Sequence, residues 1–314
     1  MDTLDERVFT SLQALNRLQY KSRGFSFLPR QPIHSLLAGK HASKLRGRGL
    51  NFEELRGYLP GDDIRTMDWK ATLRTRKPIV RAYSEERDRP AYIVVDQRRS
   101  MFFGSQFKMK SVIAAELAAV CAWRSLDQGD RVGAIIFNDE GFIEIKPNRS
   151  RKTVQQILGE IVRQNHALKS HTTSPTNSQI LNRVLEHVSR VAHHDGLICV
   201  ITDMLGADAE SRRLMTKLAR HNDVIVGFVY DPLEEELPES GKMVFSKGDS
   251  QLQVDTSDRQ LREGYATAFV DRLAKARKIL IQRAVPLVSI STADDPVKQI
   301  QSQLGYARSD RSAT

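Results

Sequence analysis

Apolar residues follow two periods along this chain, and the change between them divides the sequence. Leu4, Val8, Leu12 and Leu15 recur at helical spacing and predict an amphipathic helix from residue 4 to about 18. Residues 79–83 read as a strand, followed by a turn over 86–90. Beyond that turn the pattern becomes short continuous apolar runs at 92–95, 132–137, 197–202 and 224–229, as strands show when helices cover both faces. A last short strand falls at 286–289.

Helical patterns separate these runs. They lie over 110–126, around Val154, Leu158 and Ile161, over 180–188, around Leu214 and Leu218, over 261–280 and over 297–304. Residues 142–145 pair back on the second strand as a hairpin, 242–254 is a less regular strand-like stretch, and Ser and Thr in the loop 170–178 are placed to cap the helix after it. The alternation predicts an α/β fold: a doubly wound, mostly parallel sheet with helices on both faces. The predicted organisation is a small basic N-terminal subdomain over 1–88, the α/β domain over 89–306 and a flexible tail over 307–314.

One stretch resists both periods. Residues 56–69, RGYLPGDDIRTMDW, crowd basic residues, carboxylates, a turn and two aromatics together. Pro60-Gly61 suits the centre of a type II turn, because Pro presets one backbone angle and Gly accepts the positive one that follows. Asp62 and Asp63 stand where a helix N-cap belongs, ahead of Ile64, Met67 and Trp69. Arg56, Arg65 and Asp68 remain to form an ion-pair cluster. A charged latch and a partner-recognition surface both fit this composition.

Charge changes the picture in one place. The net charge is +10, and residues 1–90 hold 18 Lys/Arg against 11 Asp/Glu, so most of the excess lies in the first third. Such an excess suits nucleic acid, an anionic membrane surface or an acidic protein. The basic segment 39–49, GKHASKLRGRG, lacks the spacing of a phosphate-binding P-loop and reads as a mobile loop. No apolar run approaches the roughly 20 residues of a membrane helix, and Asp2, Asp5 and Glu6 stand where a signal peptide carries positive charge. The expectation is a soluble, cytoplasmic protein without membrane insertion, whose Cys121 and Cys199 are buried thiols rather than a disulfide or metal site.

In open parallel sheets ligands bind beyond the carboxyl ends of the strands, and two predicted strands end in acids, Asp96 and Asp203. An acid ending the first strand, a hydroxyl four residues on, a Thr in a mid-domain loop and an acid ending a later strand resemble the von Willebrand factor A domain. There D-x-S-x-S, a Thr and an Asp surround a magnesium ion, and a partner's carboxylate completes the coordination. Carried over, Asp96 and Ser100 match the ends of D-x-S-x-S, Thr172 or Thr173 is the Thr, and Asp203 is the second Asp. Arg98 stands where that family has its middle Ser. A guanidinium cannot ligate a metal and repels one by several kcal/mol at short range. The sequence therefore favours Arg98 as a cation substitute paired with Asp96 or Asp203 over an occupied magnesium site.

The motif narrows the resemblance. Glu54, Arg56, Tyr58 and Pro60 lead into Gly61, Asp62, Asp63, Arg65, Asp68 and Trp69, and a strand and the Asp96 to Ser100-Met101 turn follow. This series resembles the domain-of-unknown-function 58 family over about residues 35–235, in a short soluble form. The resemblance implies a bacterial, non-catalytic protein-interaction adaptor for a MoxR-type AAA ATPase, acting on a client protein during remodelling or maturation of complexes. The residues leave room for two other functions. Asp62, Asp63 and Asp68 with Asp96 and Asp203 suffice in kind for a metal-dependent hydrolase, although no histidine joins them, no H-E-x-x-H or G-x-S-x-G pattern occurs, and Ser105 to Lys108 fits S-x-x-K only as a short pattern. Arg46, Arg48, Arg74, Arg76, Lys77 and Arg81 are the phosphate contacts of a nucleic-acid reading, with few aromatics among them.

Overall fold

The computed structural model describes residues 5–22, 50–58, 64–85, 89–169, 179–247, 250–281 and 285–304. These fall into two compact units, one formed by Met1–Arg30 with Arg89–Thr314 and the other by Gln31–Asp88.

In the smaller unit, β1 (Leu50–Gly57) and β2 (Ile79–Glu85) pair antiparallel, with a bulge between Phe52 and Glu54. A 3-10 turn (Ile64–Thr66) and the short helix α2 (Trp69–Thr75) connect them. Helix α1 (Leu12–Arg17), which precedes these elements in the chain, belongs to the larger unit.

The larger unit is built on a six-stranded sheet. Its strands are β3 (Pro90–Asp96), β4 (Arg131–Phe137), β5 (Phe142–Asn148), β6 (Leu197–Thr202), β7 (Asp223–Tyr230) and β10 (Leu287–Ser291), in the spatial order β10-β7-β6-β3-β4-β5. All pairs are parallel except β4 with β5, so an antiparallel strand closes one edge. Numbered within the sheet the order is 3-2-1-4-5-6, the doubly wound order that places a crevice beside the first strand. A separate antiparallel hairpin, β8 (Lys242–Lys247) with β9 (Ser250–Asp255), precedes the long helix α8 (Arg259–Ile281).

Alternation along β3 assigns its side chains to two core layers. Ile93 and Val95 join Ile113 and Val120 of α3 (Lys110–Asp127), Ile157 of α4 (Arg151–Ala167) and Val297 of α9 (Pro296–Leu304). Tyr92 and Val94 join Leu181 of α5 (Ile180–Val191), Leu214 of α6 (Ala209–Leu218) and Phe269 of α8. Two-sided burial is why these strands read as continuous apolar runs. Among the described residues no helix is long and apolar enough to cross a membrane.

Two expectations change. The predicted boundary at 1–88 does not hold for the first helix, because Leu15 and Leu18 are buried in the core of the larger unit and Thr10 N–H donates to Asn165 Oδ1 at 2.9 Å. That helix also begins later than its apolar spacing suggests: Ser11 caps it by accepting from Ala14 N–H, and Leu12 stays exposed. Helix α5 starts after Gln179, whose side chain makes no cap, and the loop 170–178 expected to cap it lies outside the described residues. The basic loop 39–49 and the tail 307–314 lie outside the described residues.

Candidate functional site

Three neighbouring strands of the large sheet, β3, β6 and β7, each hand over to a buried aspartate at the carboxyl end: Asp96, Asp203 and Asp231. Side-by-side parallel strands must put these positions at one edge. A buried carboxylate is costly unless paired and hydrogen-bonded, so the edge is defined by what each acid engages.

Asp96 is clasped by Arg98, with neither side chain exposed. Arg98 Nε donates to Asp96 Oδ1 at 3.0 Å and Nη2 to Oδ2 at 2.6 Å, while the Arg98 backbone N–H also reaches Oδ1. Thr202 Oγ1 donates to Asp96 Oδ2 from the end of β6. The remaining guanidinium donors bridge outward, Nη2 to Asp203 Oδ1 at 3.3 Å and Nη1 to the Leu205 carbonyl at 2.9 Å. Beneath them the Phe137 ring lies 5.5 Å from the guanidinium carbon.

Asp203 holds a second cation. Lys110 Nζ, at the buried start of α3, donates to Asp203 Oδ2 at 3.1 Å and to Glu234 Oε1 at 2.8 Å. Glu234 belongs to the single-turn helix α7 (Pro232–Glu235), which Asp231 caps. Asp231 also accepts from Ser105 N–H and Oγ and from Thr292 Oγ1, tying the 102–108 loop to the ends of β7 and β10. The turn after Asp203 is wound tightly, with Met204 and Gly206 at positive φ, and this aims the Leu205 carbonyl at Arg98.

Electrostatics keep the network charged at Asp203. Burial acts to raise its pKa, but Lys110, Arg98 and the Leu205 N–H outweigh it and hold the carboxyl at about 2. Burial likewise opposes the charges of Arg98 and Lys110, and the facing carboxylates more than restore them, so both bases are raised. Asp96 differs: burial pushes its carboxyl above the usual range, against the pull of Arg98.

Of the residues singled out in the sequence, Asp96, Arg98 and Asp203 come together. Ser100 lies in the adjacent 3-10 turn (Arg99–Met101), its Oγ shielded and without a hydrogen-bond partner among the described residues. Thr172 and Thr173 lie outside the described residues, as do Gly61, Asp62 and Asp63. The residues present do not fit a magnesium ion, since Arg98 and Thr202 already cover the Asp96 oxygens and Lys110 and Arg98 those of Asp203. Ser105 and Lys108 serve different carboxylates, Asp231 and Glu116. Both cysteines are free and buried, and the Cys199 hydrogen bond together with burial pushes the Cys121 thiol up.

Lys110, Thr202, Asp231 and Glu234 escaped the sequence reading. Asp231 carries the signal that marked the other two acids, an apolar strand ending in Asp. Lys110 and Glu234 carry none, being 124 residues apart and ordinary in their local sequence.

The motif residues occupy the smaller unit. Arg56 pairs through β1 with Val80 of β2, and the half-buried Tyr58 donates its N–H to the Pro78 carbonyl. Asp68 caps α2 by accepting from Ala71 N–H at 2.9 Å and pairs with Arg81 at 3.0 Å. The Ala71 N–H and then Arg81 lower its pKa. Thus Asp68 caps the helix over 69–75, while Asp62 and Asp63, expected as N-caps ahead of Ile64, lie outside the described residues. Arg65 and Trp69 are exposed.

The family described as "Protein of unknown function DUF58" matches residues 54–275, and the chain belongs to it. It is 29% identical over 267 residues to the uncharacterized protein Rv1480 of Mycobacterium tuberculosis, covering 85% of this chain and 82% of that one. A Mycobacterium avium protein, the uncharacterized MAV169, is 27% identical over 121 residues, 38% of this chain and 71% of its own length. Among solved structures, the conserved hypothetical protein BatB from Bacteroides thetaiotaomicron aligns with a TM-score of 0.42 at 18% identity, over 68% of this chain and 96% of that one.

Proposed function

We propose that this DUF58 protein is a non-catalytic interaction adaptor that works with a MoxR-type AAA ATPase in remodelling or maturing protein complexes. One observation carries the reading: the strand-end carboxylates, where such sheets place their chemistry, are committed to Arg98 and Lys110 in a buried, internally neutralised network. A general acid, base or metal ligand needs a free lone pair or proton near substrate, and Asp96 and Asp203 offer neither.

The same network supports reading the α/β body as a von Willebrand factor A-like domain with a degenerate ion site. The strand order with one antiparallel edge and the acids ending its first and fourth strands agree with that reading. In it the guanidinium of Arg98 takes the role of the metal charge, and partner binding passes to other surfaces.

Affinity capture of the full chain from its native host tests the proposal. Recovery of an AAA ATPase, retained when the network is intact, is the expected result. Recovery of only RNA or DNA would overturn it in favour of the basic-surface reading.

A further inference from the structure

The smaller unit carries a feature that the strand-end network does not use. Helix α2 turns its apolar side outward: Trp69 is 62% and Leu73 80% exposed, and Ile64 just upstream is 62% exposed. Trp69 and Leu73 are four residues apart and form one row on the helix. Lys70 and Arg74, each one position further on, form a second row beside it, and Arg76 and Lys77 extend the positive charge past the helix end. All four cations are exposed.

The row is held rigid. Asp68 caps the helix, Thr72 Oγ1 accepts from Ile79 N–H at 3.0 Å, and Asp68 N–H donates to the Ile79 carbonyl at 2.8 Å. A tryptophan with an arginine on the neighbouring row, held in place before binding, has the make-up of a protein-interface anchor. It suits the alternatives less well. Nucleic acid rewards aromatic stacking and cations, but gains nothing from a leucine this exposed. Membrane-surface helices bury a longer apolar face than one of two turns.

We infer that α2 is a docking surface for an acidic amphipathic segment of a partner protein. The partner's apolar side chains cover Trp69 and Leu73 while its carboxylates meet Lys70, Arg74, Arg76 and Lys77. The inference rests on the adaptor reading in taking the partner to be a protein, and charge complementarity specifies its chemistry.

Of the two tryptophans, Trp123 is buried in the core, so a change in emission on binding reports Trp69. The full chain is titrated with a synthetic Glu/Leu amphipathic helical peptide, a permuted peptide of the same composition, phosphatidylglycerol vesicles and an oligo-dT strand. A saturable blue shift with the amphipathic peptide, weakened about tenfold in Leu73→Glu and in Arg74→Glu and absent in Trp69→Phe, is expected. No shift, or an equal shift with the permuted peptide, overturns the inference. A stronger response to vesicles or to oligo-dT also overturns it, reassigning the surface to a membrane or to nucleic acid. If an AAA ATPase is captured but Trp69 does not respond, the docking surface fails alone. If Trp69 responds and no ATPase is captured, the ATPase reading fails alone.

Discussion

Arg98 and Asp96, two residues apart at the end of the first core strand, form a bidentate pair with neither side chain exposed. Such a pair is expensive to break, because removing one partner leaves a desolvated charge behind. Arg98→Met is therefore expected to cost about 3–5 kcal/mol in urea or guanidinium melts. The double variant Arg98→Met/Asp96→Leu should recover much of that loss. Equal losses in single and double variants would mean that the pair is not the source of the cost.

The same pair bears on divalent ions. With the oxygens of Asp96 and Asp203 covered, calorimetric titration of the wild-type chain with Mg²⁺ should give no saturable heat. Tight binding by the wild type would show that Arg98 swings aside and that the strand ends accept a metal.

Lys110 joins three elements, α3, the end of β6 and α7, through Asp203 and Glu234. Lys110→Met should lower stability by about 3–5 kcal/mol. Its effect should not add to that of Asp203→Asn, with a coupling above about 1 kcal/mol in a double-mutant cycle, because both substitutions remove one interaction. Simple additivity would separate the two residues energetically.

Acid should loosen the strand-end network through Asp203. Its folded pKa, about 2, lies below the ordinary 3.8. A depressed pKa contributes stability that is present above the unfolded value and lost as the pH falls through the folded one. The loss falls between about pH 4 and pH 2 and is on the order of 2 kcal/mol. Asp96 has the opposite sign: raised by burial, it favours the fold more below its unfolded pKa and partly offsets the loss. Urea midpoints measured from pH 7 to pH 2 should fall more steeply for wild type than for Asp203→Asn. Parallel curves would mean that other carboxylates govern acid unfolding.

The strands and most helices of the large sheet were legible because burial on both faces imposes apolar runs, and apolar runs survive in a single sequence. Asp96 and Asp203 were legible for the same reason, as polar residues that end such runs. Lys110 was not. A lysine opening a helix ordinarily faces water, and only the approach of β6 and α7 encloses this one. Charge groups the first helix with the basic N-terminal region, but Leu15 and Leu18 take it into the core of the larger unit. Local charge records solvent exposure less faithfully than two well-placed leucines record burial.

Asp231 offers the sharpest separation between structure and partner binding. It is fully buried and accepts from Ser105 N–H, Ser105 Oγ, Leu233 N–H and Thr292 Oγ1, so it organises the loop edge without contributing to the Arg98 and Lys110 pairs directly. Asp231→Ala leaves several buried donors without acceptors, each costing about 1–3 kcal/mol, and should destabilise the larger unit by roughly 3 kcal/mol or more. Trp69 and Leu73 belong to the other unit. If α2 is the docking surface, Asp231→Ala should lower the melting temperature while the folded fraction keeps wild-type affinity for the acidic peptide, and Leu73→Glu should do the reverse. The measurement pairs thermal melts with the Trp69 titration below the melting transition. Loss of peptide affinity in Asp231→Ala at full folding would place the recognition surface at the strand ends instead.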